Sequence, residues 1–309
     1  KRRARKRKMR GRLMMSCRLQ GGENMNCSGI IFSNIHDTVM GELTKERTLA
    51  SLPFGSRYRQ IDFVLSCMSN SGINVIGIIT KQNYQSLMDH LGSCGEWDFN
   101  RKNGGVVILP PFGAGQTDVY KGKIDALKGS RQFIEKSPAD HMLLCDSNVL
   151  CNIDFSVMLR EHKRSGADVT VAAVKDDTSG SCQMSIVSEN GAVKEIGLCC
   201  PLEKGAFSGM DMYIIGKKLL LELIDEYEAK GRYEFEKDLL QGGFNEGRLK
   251  VNMVEFKGIV LRNSDICSYV KNNMSLLKDE IRAGLFKKQA PIYTKVRDEV
   301  PTFYGNCAR

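Results

Sequence analysis

No stretch of this 309-residue sequence comes near the roughly 18 consecutive apolar residues that a membrane-spanning helix requires. The basic N-terminus has no apolar run behind it, so no secretory signal is expected. The 11 cysteines include no CxxC pair, and Cys199–Cys200 does not supply the short-spaced pairs of a zinc site. Several of them, Cys67 and Cys145 among them, sit inside apolar segments, so they read as reduced core thiols of a cytoplasmic protein. No fixed-period repeat occurs, which argues against a solenoid. The charge imbalance is confined to one place. Residues 1–12 carry nine Lys or Arg and no acid, and removing them leaves 45 − 9 = 36 basic residues against 36 acidic ones. The net charge of +9 therefore belongs to a short run, and the body is neutral. Residues 1–24 are expected to form a basic disordered tail. A nucleic-acid-binding protein acting through that tail is the weakest functional reading.

Apolar runs alternate with helical patterns. Cys27–Ser33 reads as a first strand, followed by a polar loop over Asn34–Thr44. Ile61, Val64, Leu65 and Met68 share a helical face that Gly72 closes. Val75–Thr80 is a second buried strand, and Asn83 is placed to cap a short helix through Leu91. Val106–Leu109, Met142–Cys145 and Asp168–Val174 read as strands, Lys123–Lys136 as a helix, and Asp154 as the cap of a helix running to Ser165. Further on come a hairpin turn at Ser188–Gly191, a strand at Met210–Ile215, a helix at Lys217–Lys230, a strand at Leu249–Phe256 and a long helix over Ser264–Ile281. This alternation predicts an α/β domain over residues 25–285, with a mainly parallel sheet and helices on both faces. Residues 286–309 read as a linker. Such sheets bind ligands beyond the carboxyl ends of their strands, which puts the Asn34–Thr44 loop and Asp146 on one rim. Taken alone, Asp146 reads as a turn cap at a strand end, His36 and Asp37 as a solvated loop pair, His90 as a surface or packing residue, and Trp97 as a core or interface aromatic that could also line a pocket.

Five segments carry a resemblance: GELTKERTLASLPFGSRYRQIDFVLSCMSNSGI (41–73), VIGIITKQNYQSLMDHLGSCGEWDF (75–99), VYKGKIDALKG (119–129), LLCDSNVLCNIDF (143–155) and PIYTKVRDEVPTFYG (291–305). Together they resemble the ADP-glucose pyrophosphorylase (glucose-1-phosphate adenylyltransferase) family. The resemblance implies a nucleotidyltransferase (Rossmann-like) domain. In the family a left-handed β-helix follows a linker like 291–305, and here that domain is missing or only begun.

The resemblance also implies where the site lies. Family glycines of the phosphate-binding loop fall on Asn34, Ile35 and Asp37, its arginine on Val39, and a further lysine on Leu49. Glycines there let backbone amides reach phosphates, and the cations offset charge on the departing pyrophosphate. Thr44 and Asp125 match retained nucleotide or sugar-phosphate positions, and Asp146 matches a carboxylate that could hold Mg²⁺. The second metal acid falls on Asn263, with Asp265 close by, and the sugar-phosphate lysine has no clear counterpart, Lys194 and Lys204 being poorly aligned. A retained framework around a degenerate loop resembles a GlgD-type subunit. It implies a regulatory, non-catalytic protein modulating a catalytic GlgC-type partner in a hetero-oligomer, a tetramer at full length, with ATP, glucose 1-phosphate or effector sugar phosphates as ligands. The alternative is an active adenylyltransferase making ADP-glucose and pyrophosphate. On the first reading, restoring Val39→Arg, Leu49→Lys and Asp37→Gly together is expected to recover rate.

Overall fold

The computed structural model describes residues 25–100, 104–111, 120–175, 184–189, 192–199 and 205–296. The expectations for the 1–24 tail, for residues 297–309 of the linker and for Lys204 fall outside the described residues.

A nine-stranded sheet forms the centre. Its strands are β1 (Cys27–Phe32), β2 (Val75–Ile79), β3 (Gly105–Leu109), β4 (His141–Asp146), β5 (Val169–Val174), β6 (Met184–Glu189), β7 (Ala192–Leu198), β8 (Phe207–Gly216) and β9 (Val251–Glu255). β1 pairs in parallel with β2 and β4, β2 with β3, and β5 with β9. β8 runs antiparallel to β4, β5 and β6, and β7 antiparallel to β6. Only β7 and β8 therefore oppose the common direction, as the mainly parallel reading expected. The first, second, fourth and fifth of these strands match the four sequence runs assigned to one sheet.

β1 and β4 are apolar along nearly their whole length because both faces of the sheet are covered, as parallel sheets require. One face packs Ile31, Ile76, Leu143 and Ile214 against Val64, Leu65 and Met68 of helix α1 (Gln60–Asn70) and Met158 and Leu159 of the helix Phe155–Ser165. The other packs Ile30, Leu144 and Tyr213 against Ile124, Leu127, Leu220 and Ile224. Gly29 permits the close approach of α1, since a Cβ there would stand 2.7 Å from Met68 Sδ. Gly72 follows α1 at φ 81°, the left-handed geometry expected of it.

Three local expectations need correction. Asn83 does not cap α2 (Gln85–Leu91). It takes a left-handed φ of 53° and donates its side-chain amide to Lys45 O at 2.9 Å, tying the loop after β2 to the loop after β1. The Lys123–Lys136 helix is broken at Ser130 into α3 (Lys123–Gly129) and α4 (Arg131–Lys136). The long helix over Ser264–Ile281 is likewise broken. After α5 (Phe155–Ser165) and α6 (Lys217–Ala229), the chain forms α7 (Ile266–Ser275), turns at Leu276–Lys278, and continues as α8 (Asp279–Leu285). Asp154 does cap α5, accepting from Ser156 N at 2.9 Å.

Residues 286–296, read as linker, lie against the domain. Asn152 donates to Ala290 O at 2.7 Å, Ser66 Oγ accepts from Tyr293 N at 2.8 Å, and Ile292 is buried. No β-helix occurs among the described residues, and no helix among them is long and apolar enough to cross a membrane. Cys27, Cys67, Cys94, Cys145 and Cys151 are free and buried, as the core-thiol reading expected.

Two histidines give this core a pH dependence. His162 is buried on α5 with Nδ1 2.8 Å from Thr170 Oγ1 and its ring edge-on to His141. Burial lowers His162 from 6.5 to about 4, and His141 is lowered for the same reason. The unfolded chain takes up these protons first. Stability is therefore full above pH 6.5 and is lost as pH falls toward 4, by up to ~3 kcal/mol for His162. Urea unfolding across this range should show the loss, and His162→Gln should flatten it. A profile unchanged by His162→Gln would contradict this origin.

Candidate functional site

The rim where β1 and β4 end carries the candidate site. The loop after β1 folds inward rather than presenting open backbone. Asn34 is buried, and its Oδ1 accepts Lys81 N at 3.0 Å while Nδ2 donates to Gln82 O at 3.1 Å. Asp37 accepts Leu49 N at 2.8 Å and also a hydrogen bond from the Asn34 side chain. Burial pushes the Asp37 carboxyl up to about 6 against the pull of these donors. Thr44 Oγ1 donates to Asp37 O at 2.7 Å and to Gly41 O. Asn34, Asp37 and Thr44 thus clip the loop shut. Ile35 is partly buried and packs against the core. Leu49 is only 1% exposed and packs with Met40 and Leu52, whereas Val39 is 48% exposed.

These positions correct two expectations. Asp37 is a structural clip whose carboxylate is spent on the loop. The solvated His36–Asp37 pair does not exist, because His36 reaches the other way, with Nε2 2.7 Å from Asp146 Oδ2. Restoring a lysine at Leu49 and a glycine at Asp37 would remove a core residue and the clip together.

Asp146 ends β4, is 1% exposed, and anchors a charged cluster. Its Oδ2 accepts from Lys123 Nζ at 2.8 Å as well as facing His36. Lys123 opens α3 and is delivered by a turn in which Asp125 accepts Lys121 N at 3.0 Å. Gly122 lets that turn press against the Tyr233 carbonyl, where a Cβ would collide with backbone. The same approach brings Lys123 onto Glu236, with which it forms an ion pair. Glu236 lies in a π-helical turn, Phe235–Gln241, and accepts from Tyr213 OH at 3.2 Å. Asp211 sits at a register break in β8 with φ 53°, an outlier for a residue with a Cβ. It is paired with Arg262 Nη1 at 3.0 Å, and Arg262 also donates to Gly209 O. Arg262 is held by a two-residue antiparallel bridge, Leu261–Arg262 with Val149–Leu150.

The electrostatics are internally balanced. Asp146, Asp211 and Glu236 face Lys123, Arg262 and the titratable His36. Burial works to raise the Asp146 carboxyl, but Lys123 and His36 outweigh it and hold it below the usual range. Burial likewise opposes the charge on Lys123, and the Asp146 and Glu236 carboxylates overcome it and hold the ammonium protonated. Burial pushes Glu236 up despite Lys123.

The Mg²⁺ that the resemblance implies does not fit this arrangement. His36, Asp146 and Asp211 do bring ligand atoms within 4.8 Å of one another. Asp146 Oδ2 is already engaged by His36 and Lys123, and Asp211 Oδ2 by Arg262. A divalent ion sharing Oδ2 would stand about 4 Å from the ammonium, where each unit of like charge costs about 4 kcal/mol. The other oxygen, Asp146 Oδ1, has no hydrogen-bond partner, and neither does the Asn148 side chain or Asn263 Nδ2. Asn148 and Asn263 are fully buried, whereas Mg²⁺ usually keeps several waters. Asn263, standing where the second acid was expected, accepts from Asn272 Nδ2 at 2.8 Å. Asp265 caps α7, accepting Ser268 N at 2.6 Å, so its carboxylate is used locally. Lys194 pairs with Glu189 across the β6–β7 hairpin at 3.8 Å.

Sequence reasoning missed Lys123, Asp211, Glu236 and Arg262 as members of this cluster. Asp211 did leave a signal, being a lone carboxylate within the apolar run SGMDMYII. His90 and Trp97 turn out to be core residues. His90 Nε2 lies 2.6 Å from Asp62 Oδ1, with Trp97 edge-on beside it.

A family model for nucleotidyl transferases matches residues 38–256. The chain is 31% identical over 287 residues to "Glycogen biosynthesis protein GlgD" of Geobacillus stearothermophilus, covering 91% of this chain and 73% of that protein. It is 29% identical over 283 residues to the Bacillus subtilis (strain 168) protein of the same name, covering 91% and 72%. It is also 31% identical over 260 residues to "Glucose-1-phosphate adenylyltransferase" of Clostridium perfringens (strain SM101 / Type A), covering 82% and 67%. With its sheet, its rim site and these matches, the chain belongs to the nucleotidyl transferase family, in the ADP-glucose pyrophosphorylase group as a GlgD-type protein.

Proposed function

We propose that this chain serves glycogen (α-glucan) biosynthesis as a cytoplasmic, non-catalytic subunit that modulates a catalytic GlgC-type partner. The observation that carries this reading is the self-neutralised site. The carboxylate at the strand end is consumed by Lys123 and His36, and the loop that would meet a triphosphate is clipped shut by Asn34 and Asp37. Val39 and Leu49 offer no charge to a departing pyrophosphate. A framework this intact around such a site is suited to contact and coupling within a hetero-oligomer, a tetramer on the family pattern. Sugar phosphates or ATP would then act on it as effectors.

The second reading, an active adenylyltransferase, draws on the 31% identity to a protein of that name. Titrating the purified chain into a catalytic partner and measuring that partner's apparent affinity for ATP, glucose 1-phosphate and effectors tests the modulation. Coupling of about 1–3 kcal/mol would shift at least one of these about 5- to 150-fold. A partner whose constants do not move at saturating chain would overturn the regulatory role.

A further inference from the structure

The Lys123 ammonium lies where a cation would be wanted. It is buried, 2.8 Å from Asp146 Oδ2, paired with Glu236, and over the faces of Phe32 and Tyr213 at 5.4 and 5.8 Å. We propose that Lys123 is a resident cation that takes the place of a divalent metal at Asp146, so that this site is locked in a metal-free state by the chain itself.

Three features support the assignment. The lysine bridges two carboxylates, the task a divalent ion performs between acids. Its placement is built in, since Gly122 against the Tyr233 carbonyl and the Asp125 contact to Lys121 N fix the turn that carries it. The third nearby acid, Asp211, has its own cation in Arg262. Asp146 keeps only Oδ1 without a partner, and the ammonium on its other oxygen opposes a second cation there. Removing the ammonium alone would leave Asp146 and Glu236 uncompensated beside His36, a set of oxygen and nitrogen donors that suits Mn²⁺.

This deepens the reading of a silent site. It is read out by ion binding and not by turnover, so either conclusion can fail without the other. Mn²⁺ would be titrated into the full chain, with free Mn²⁺ followed by electron paramagnetic resonance and the unfolding midpoint recorded. The wild-type chain should show no saturable binding up to about 1 mM, the weak end of biological divalent sites. Lys123→Met should bind at least ~10-fold more tightly than the wild type and be stabilised by the ion, because uncompensated buried carboxylates gain a counter-charge. Lys123→Arg, which keeps the cation, should behave as the wild type. Saturable wild-type binding that Asp146→Asn abolishes would overturn the proposal, and that comparison needs no Lys123 variant to fold. A folded Lys123→Met with no gain in Mn²⁺ affinity would overturn it as well.

Discussion

Leu49→Lys is expected to destabilise the protein by at least ~3 kcal/mol, although the family resemblance puts a lysine at this position. Leu49 is 1% exposed and packs with Met40 and Leu52, with Leu43 and Tyr269 closing the cluster. Removing a buried leucine side chain typically costs about 2–5 kcal/mol. An ammonium in its place would be desolvated among Met40, Leu52, Leu43 and Tyr269 and must either lose its proton or force the loop open. The loop would move with it, because Leu49 N is the group that Asp37 Oδ1 holds at 2.8 Å. Val39→Arg is the natural control. Val39 is 48% exposed, and surface changes of this kind are usually within about 0.5 kcal/mol. Urea unfolding of the two variants separates the effects. A Leu49→Lys chain as stable as Val39→Arg would show that the loop is looser than its contacts imply. The same argument predicts that grafting a family residue singly at Asn34, Asp37 or Leu49 destabilises the loop, since it is built around these three as a unit.

The fold was readable because its signals are periodic. The apolar runs of β1, β2, β4 and β5 and the amphipathic faces of α1, α5 and α6 report burial directly. Helix ends were readable where a side chain caps or a glycine closes the last turn, as Gly72 does after α1. Asp154 could be named from sequence, but Asn83 could not be separated from a cap because its real partner, Lys45 O, is 38 residues away. The break at Leu276–Lys278 has no proline or glycine to mark it. The site divides in the same way. Asp146 was visible at the end of an apolar strand, and the loop's departures were visible by resemblance. Lys123 entered the sequence reading only as the first residue of a helical pattern. Its role depends on Glu236, 113 residues later, and no local pattern encodes that meeting. Asp37 was misread for a related reason. Its charge is evident in sequence, but the direction its carboxylate faces is set by the amide of Leu49.

Turnover by the chain alone should be at least ~10³-fold below that of a catalytic relative. Oxyanion-type donors are each worth roughly 10²–10³ in rate, and here Val39 and Leu49 remove both expected cationic groups from the phosphate side. On the metal side, Lys123 and His36 already occupy Asp146 Oδ2. The losses fall on charge stabilisation in the transition state and not on affinity alone, so more substrate should not restore the rate. The direct measurement is pyrophosphate release by the purified chain from ATP and glucose 1-phosphate, with saturating Mg²⁺ and no partner present. The expected result is a rate indistinguishable from background, with the same preparation still shifting the kinetics of a catalytic partner. Release at ordinary enzyme rates, about 1–1,000 per second, would contradict the silent site outright.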